Sequence, residues 1–218
     1  MTRLFVAGTD TDVGKTRISV ALMQLLAASG MRVAAMKPVA SGCELTAEGL
    51  RNDDALQLSE QATVALPYEV VNPYAFEPAI APHIAAEQVD TQIEMAVIQQ
   101  QFNVIKQQAD GIIVEGAGGW LVPIGGGQTL ADVAVSLDLP VVLVVGIRLG
   151  CINHALLTVE AIKRSGLPLY GWVANHVAEC AESDAIIDTL KTMISSPCLG
   201  IIPVLAKTEA VTSLSLLN

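Results

Sequence analysis

The run Gly8-Thr9-Asp10-Thr11-Asp12-Val13-Gly14-Lys15-Thr16 brings together the residue types that bind polyphosphate. Such a ligand needs backbone amides turned inward, a helix N-terminus behind them, a lysine for the outer phosphates and a hydroxyl for magnesium. Gly14, Lys15 and Thr16 supply those parts, although Thr9 stands where the usual pattern has its first glycine, with Gly8 one position earlier. A chance G-K-T in a helix cap is the competing reading, and the strand-before, helix-after context argues against it. Glu115 closes the apolar run Ile112-Ile113-Val114 and precedes Gly116-Ala117-Gly118-Gly119, which reads as a flexible turn that lets backbone approach a ligand. A carboxylate there can hold Mg²⁺, which takes oxygen ligands and keeps several waters, together with Thr16 and one more acid. Asp54 is the candidate, although taken alone it is better explained as an ordinary N-cap or first-turn acid of a helix. Lys37 ends a second apolar strand, where a parallel sheet places active-site groups; a snorkelling surface lysine is the alternative.

Two nucleotide-binding subclasses can be weighed on residues. Partitioning ATPases of the deviant type carry an extra lysine early in the loop, where this chain has Asp10, and no N-K-x-D guanine motif occurs. An ATP-using metabolic enzyme fits better than either.

The elements that must position these groups follow from apolar patterning. Strands are expected at Leu4 to Gly8, Val33 to Lys37, Ile112 to Glu115, Val141 to Gly146, Leu169 to Ala174 and Gly200 to Val204. Several are apolar at every residue, which indicates a parallel sheet covered on both faces. Ile18, Leu22, Leu25 and Leu26 repeat at helical spacing, with Gly30 placed to end that helix. Further helices are expected at Asp53 to Gln61, Thr91 to Gln108, Leu130 to Leu137, His154 to Ser165 and Asp184 to Ile194. Ala62 to Pro82, with Pro67, Pro73, Pro78 and Pro82, reads as a loop excursion. The whole of 1–218 is expected to form a single α/β domain, a doubly wound and mainly parallel sheet with helices on both faces, of the P-loop NTPase type.

Composition narrows the partners. The chain has 218 residues, 52% hydrophobic and 16% charged, with a formal charge of −10. That charge argues against nucleic acid, whose binding relies on a basic surface. No apolar stretch reaches the eighteen residues of a membrane span. The short segment after Arg3 is too brief for a signal-peptide core, so a cytoplasmic protein is expected. Cys43, Cys151, Cys180 and Cys198 are scattered and suggest free thiols.

Taken with the loop, Lys37-Pro38-Val39-Ala40-Ser41-Gly42, Gly49-Leu50-Arg51-Asn52-Asp53-Asp54-Ala55, Val71-Asn72-Pro73-Tyr74, Val114-Glu115-Gly116-Ala117-Gly118-Gly119-Trp120, Leu149-Gly150-Cys151-Ile152-Asn153-His154-Ala155 and Gly171-Trp172-Val173-Ala174-Asn175 closely resemble the dethiobiotin synthetases. The loop is shared by many nucleotide enzymes; the Lys37 to Gly42 and Gly150 to Ala155 stretches are far more particular to that family.

The resemblance implies a reaction that joins 7,8-diaminopelargonate, CO2 and ATP into dethiobiotin, ADP and phosphate. One amine captures CO2 as a carbamate, the carbamate takes the γ-phosphoryl group, and the second amine closes the ring. It implies that Lys15 and Lys37 are catalytic and that Asp12, Val13, Gly14, Lys15, Thr16 and Arg17 wrap the phosphates. Thr16, Asp54 and Glu115 would hold Mg²⁺, and Glu115, Gly116, Ala117 and Gly118 would border the nucleotide. Asn175, His176 and the segment Pro203, Val204 and Leu205, assigned to the last strand, would meet adenine. Ser41 would touch the diamine or its carbamate. Gly150, Cys151, Ile152 and Asn153 would bind the substrate carboxylate from a second subunit, which implies a homodimer. Arg17 and Asp12 depart from the family's usual residues, and Glu209, one position out of register with a ribose-side acid, is left out. His83 and His154 read as structural. Two rivals are another P-loop ATP-dependent amide ligase, such as a cobyrinate-amidating enzyme, and a nucleotide-switched partner-binding ATPase. The first needs a glutamine-hydrolysing domain for which this length leaves no room, and the second is weakened by the missing early lysine.

Overall fold

The alternation of apolar runs and helical periodicity resolves, in a computed structural model that describes residues 1–206 and 211–216, into twelve strands and eight helices among those residues. In chain order they are β1 (Thr2–Gly8), α1 (Lys15–Ala28), β2 (Val33–Met36), β3 (Val39–Ser41), β4 (Glu44–Thr46), β5 (Gly49–Arg51), α2 (Asp53–Gln61), α3 (Tyr68–Val71), β6 (Tyr74–Phe76), α4 (Pro82–Glu87), α5 (Met95–Gln108), β7 (Gly111–Gly119), β8 (Pro123–Gly125), β9 (Gln128–Thr129), α6 (Leu130–Ser136), β10 (Val141–Ile147), α7 (Cys151–Arg164), β11 (Leu169–His176), α8 (Ser183–Met193) and β12 (Cys198–Ile202).

Six strands form one sheet in the order β12-β11-β10-β1-β7-β2, and every pairing within it is parallel. Successive side chains of a strand point to opposite faces, and both faces here are dry. Leu4 and Val6 of β1 pack with Ile18, Leu22 and Leu26 of α1 and Leu58 of α2. Phe5 and Ala7 face the other way, toward Phe102 of α5, Val133 of α6, Val159 of α7 and Leu190 of α8. This two-sided burial explains why the strands read as unbroken apolar runs. From β1 the chain crosses to the edge strand β2, comes back to fill the gap between them with β7, and then adds β10, β11 and β12 in turn on the other side of β1. That reversal opens a crevice at the C-terminal ends of β1 and its neighbours, the usual ligand position in such sheets.

Four sequence expectations are corrected. Ala62 to Pro82 is not merely a loop: it holds α3 and β6, and β6 pairs in parallel with β3 at Val39, Ala40 and Ser41. Pro67 caps α3 and Pro82 begins α4, positions where a missing N–H costs nothing. Glu115 does not end its strand and Gly116–Gly119 are not a turn, because β7 runs on to pair Gly119 with Gly8. Between the Val6–Glu115 and Gly8–Gly119 pairs β1 advances two residues and β7 four, a bulge that glycine allows. A side chain at Gly116 would place its Cβ 3.2 Å from the Phe5 ring. Pro203, Val204 and Leu205 follow the last strand, which stops at Ile202. Finally, α5 starts at Met95 and α7 at Cys151, so Cys151, Ile152 and Asn153 are the first turn of α7 and not a loop before it. Glu209 lies outside the described residues.

Candidate active site

The loop between β1 and α1 is shaped by left-handed backbone. Asp12 has φ 57° and Gly14, the N-cap of α1, has φ 87°. No side chain fits at Gly14: a Cβ there would lie 2.3 Å from Asn175 Nδ2. That amide, at the end of β11, donates to the Val13 carbonyl at 2.8 Å and is buried. Asn175 thus holds the loop from behind, and its Oδ1 is buried without a hydrogen-bond partner among the described residues. At the other end of the loop Asp10 accepts from the Thr11 N–H at 2.8 Å and from Arg148.

Lys15, the first residue of α1, is 7% exposed and its Nζ folds back to the Asp10 carbonyl at 3.3 Å. Burial, with Lys37 nearby, pushes its pKa below the usual lysine value. The Thr16 hydroxyl donates to Glu115 Oε1 at 3.0 Å. Lys37 is 3% exposed, which removes the snorkelling reading. Its Nζ bridges two acids, Asp54 Oδ2 at 2.7 Å and Glu115 Oε1 at 2.6 Å. Burial alone would lower the Lys37 pKa, but the two carboxylates outweigh it and raise it. Burial likewise would raise Asp54, yet Lys37 and the Thr16 hydroxyl hold its carboxyl below the usual range. Asp54 is a first-turn acid of α2, capped by the Asn52 side chain, and it also faces the cavity, so both readings of it hold.

Lys15, Thr16, Lys37 and Asp54 line a cavity of about 880 Å³, and Glu115, fully buried and not on the lining, bonds to two of them. Asp12, Gly14, Lys15 and Thr16 line the cavity from the loop and the start of α1, Lys37, Ser41 and Asp54 from the stretch between β2 and α2, and Ala117 and Gly118 from β7. The segment Ala79–Pro82 stands on the lining as well, a contribution that nothing in its sequence signals. Asn52 also lines it; a polar residue just before a helix is an N-cap signal that does not by itself announce a cavity. Ser41 Oγ is buried without a partner among the described residues. Glu115 is fully buried under the cavity and its Oε2 has no partner among them either. No grouping of three or more His, Cys, Asp or Glu occurs among the described residues. The converging donors are two carboxylates and a hydroxyl, one carboxylate oxygen still unpaired, and this hard oxygen set fits Mg²⁺ with its retained waters.

Other sequence candidates fall outside the cavity lining. Val13 is buried against Gly146 of β10. Arg17 turns away and donates to the carbonyls of Leu205 at 3.3 Å and Ala206 at 2.7 Å, so it ties the segment after β12 to the start of α1. Asn175 and His176 end β11, beside β12 and that segment. Gly116 packs on Phe5. Gly150, Cys151, Ile152 and Asn153 line neither this cavity nor a second one of about 420 Å³ between Thr9–Thr11, Trp120–Pro123 and α7. Arg148, two residues before Gly150, escaped the sequence reading because its partner Asp10 is 138 positions away.

Comparison with known proteins agrees with this geometry. A family model described as an AAA domain matches residues 2–212. An ATP-dependent dethiobiotin synthetase of Pseudomonas paraeruginosa is 52% identical over 208 residues, covering 94% of this chain and 91% of the relative. The enzyme of the same name from Marinobacter nauticus is 49% identical over 209 residues, 94% of this chain and 89% of the relative. That from Vibrio vulnificus is 52% identical over 204 residues, 93% and 90% respectively. Among solved structures, the MinC:MinD cell division complex of Aquifex aeolicus superposes with a TM-score of 0.59 at 19% identity, over 93% of this chain and 81% of that one. The signal recognition particle receptor FtsY of Elizabethkingia anophelis reaches 0.54 at 16% identity, over 100% and 62%. At such identities these structures speak for the fold, a P-loop nucleotide-binding one.

Proposed function

We propose a division of labour among the residues of this chain from one premise: it belongs to the family of ATP-dependent dethiobiotin synthetases and catalyses their reaction. The observation that carries the assignment of roles is the meeting of Lys15, Thr16, Lys37 and Asp54 on the lining of one cavity at the sheet's switch point, with the buried Glu115 hydrogen-bonded to Thr16 and Lys37.

The triphosphate lies over the N-terminus of α1, where Gly14 and the loop amides face it and Lys15 reaches its outer phosphates. Thr16, Asp54 and Glu115 would hold Mg²⁺, which would supply positive charge beside the phosphates. Asn175 Oδ1, buried and unpartnered among the described residues, suits the exocyclic amino group of the base, with His176 and Pro203–Leu205 beside it.

One amine of 7,8-diaminopelargonate attacks CO2 and loses a proton, which leaves a carbamate anion. Lys37, kept charged by its two carboxylates, neutralises that anion, and the Ser41 hydroxyl is at hand to donate to it. The carbamate oxygen then attacks the γ-phosphorus in line and ADP leaves. The second amine attacks the carbon of the mixed anhydride and gives up a proton, the ring closes, and phosphate departs. Two anions must meet for this to occur, so the protein's contribution is positioning and positive charge, from Lys15 and Lys37.

The substrate carboxylate sits on the first-turn amides of α7 from a second copy of the chain, which makes the protein a homodimer. Support comes from Gly150–Asn153 lining neither of the two cavities described above and from the apolar surface around them: Leu149, Leu157 and Leu121 are 93%, 63% and 61% exposed. No helix among the described residues is long and apolar enough to cross a membrane. The four free cysteines suit the reducing cytoplasm.

Incubation with the diamine, bicarbonate, Mg²⁺ and ATP should yield dethiobiotin by mass spectrometry, with phosphate release that requires the diamine. Phosphate release at the same rate without diamine would instead mark a nucleotide switch.

A further inference from the structure

The sequence Val71-Asn72-Pro73-Tyr74 has no part in the site so far, yet it bears directly on Lys37. That lysine lies one residue beyond the end of β2, the edge strand of the sheet, and is followed by Pro38, which has no N–H to offer. Its backbone has therefore lost the sheet ladder that would fix it. The 71–72 peptide replaces the ladder. The Lys37 N–H donates to the Val71 carbonyl at 2.8 Å, and Asn72 Nδ2 donates to the Lys37 carbonyl at 2.7 Å.

Asn72 is 3% exposed and its amide is fully used. Nδ2 also donates to the Tyr74 carbonyl at 3.2 Å, and Oδ1 accepts from the Tyr68 hydroxyl at 2.9 Å. The same hydroxyl accepts the Asn52 N–H at 2.7 Å. Asn52 in turn caps α2 through the Ala55 N–H at 3.2 Å and reaches the Ser41 carbonyl at 3.5 Å. The Arg51 guanidinium lies 4.3 Å over the Tyr68 ring and holds it in place. One chain of buried and half-buried polar groups thus runs from the Lys37 backbone to the first turn of α2, which carries Asp54. A hydrogen-bonded network of this kind, largely withdrawn from water, rigidifies what it joins.

We infer that Asn72, linked through Tyr68 to Asn52, is a positioning residue for the reaction: it sets the Lys37 backbone and the α2 N-terminus in one frame, so that the lysine reaches Asp54 and Glu115 and presents its ammonium to the carbamate. The inference rests on the role given to Lys37 above. It assigns the network no contact with substrate; the work is done through Lys37.

Tyr68→Phe tests it, because the ring stays packed under Arg51 while the hydroxyl that joins the two halves is lost. The expected result is a fall in kcat of about tenfold or more, since displacement of a reacting group by a fraction of an ångström is costly, with the KM for ATP within about twofold of the parent because Lys15 and the loop lie outside the network. Asn72→Ala, which removes both halves' anchor, should fall further in kcat with the same KM pattern. Circular dichroism at the assay temperature sets the folded fraction to which each rate is normalised. A Tyr68→Phe enzyme with the parent kcat, or one whose loss is wholly accounted for by unfolded protein, would overturn the inference. Failure of the parent protein itself to make dethiobiotin would overturn the assignment of function instead, so the two cannot be confused.

Discussion

Lys37 Nζ stands 2.6 Å from Glu115 Oε1, with the lysine 3% exposed and the glutamate not exposed at all. Removing either charge from water costs several kcal/mol, so each is tolerable there only because of the other. Asp54 completes the arrangement at 2.7 Å from the same ammonium. The acids assigned to the metal are therefore already met by a cation, the one assigned to the carbamate.

Lys37→Ala should lower kcat by at least about 10² to 10³-fold, the scale of losing one charge-stabilising donor in a closed site. Nucleotide binding by calorimetry should stay within about tenfold, because the loop and Lys15 remain. Glu115 would be left buried and unpaired, so the melting temperature should fall, and Mg²⁺ should restore it by more than it raises that of the parent. Full activity in the variant would remove Lys37 from the mechanism.

The pH dependence follows from Asp54, whose folded pKa is held below the usual aspartate value because Lys37 and the Thr16 hydroxyl outweigh burial. Its carboxyl binds a proton less readily in the folded than in the unfolded chain. Its contribution to stability is thus present above the unfolded value and lost as pH falls through that value toward the lower folded one. Urea midpoints taken between about pH 5 and pH 2.5 should drop less steeply for Asp54→Asn than for the parent. Equal slopes would mean that the Lys37–Asp54 contact does not persist in solution.

Gly14→Ala forces a side chain onto a residue with φ 87° and pushes its Cβ to 2.3 Å from Asn175 Nδ2. The strain alone is about 1–3 kcal/mol, and an Asn175 that swings aside gives up the Val13 carbonyl. Asn175→Ala should therefore cost stability in the parent but far less in the Gly14→Ala background. A double-mutant cycle by denaturant unfolding reads that non-additivity; two strictly additive losses would refute the contact.

What the sequence disclosed depended on how local each signal was. The apolar strands and α1 were legible because two-faced burial and the helical repeat are written in consecutive residues, and the phosphate loop because its parts are contiguous. The bridge from Lys37 to Glu115 spans 78 positions and could be anticipated only as two strand-end groups. The β6 strand was hidden by its prolines, since Pro73 and Pro78 flank it while Tyr74–Phe76 pair with β3. Likewise the glycines after Glu115 suggest a turn, whereas the absent side chains let β7 continue against Phe5. Asn72 gave no chemical signal of its own, for its amide donates to two backbone carbonyls, which every sequence has, and accepts only from the Tyr68 hydroxyl.

The dimer reading can be tested by trading parts between copies. Asn153→Asp sets a negative charge in the first turn of α7, where the helix dipole tolerates it, and should raise the KM for the diamine by repelling its carboxylate. Lys37→Ala disables the carbamate side. If Asn153 of one copy serves the cavity of the other, a mixed dimer of the two variants holds one site with both lesions and one with neither. Random co-assembly makes half of the dimers mixed, so co-expression should recover about a quarter of the parent activity at low diamine, as the symmetry of an isologous pair requires. Were Asn153 to serve its own protomer, every site would keep a lesion and no activity would return. Leu149→Glu, introduced on a side chain that is 93% exposed in the single chain, should then give monomers by sedimentation that bind nucleotide and fail to turn over the diamine.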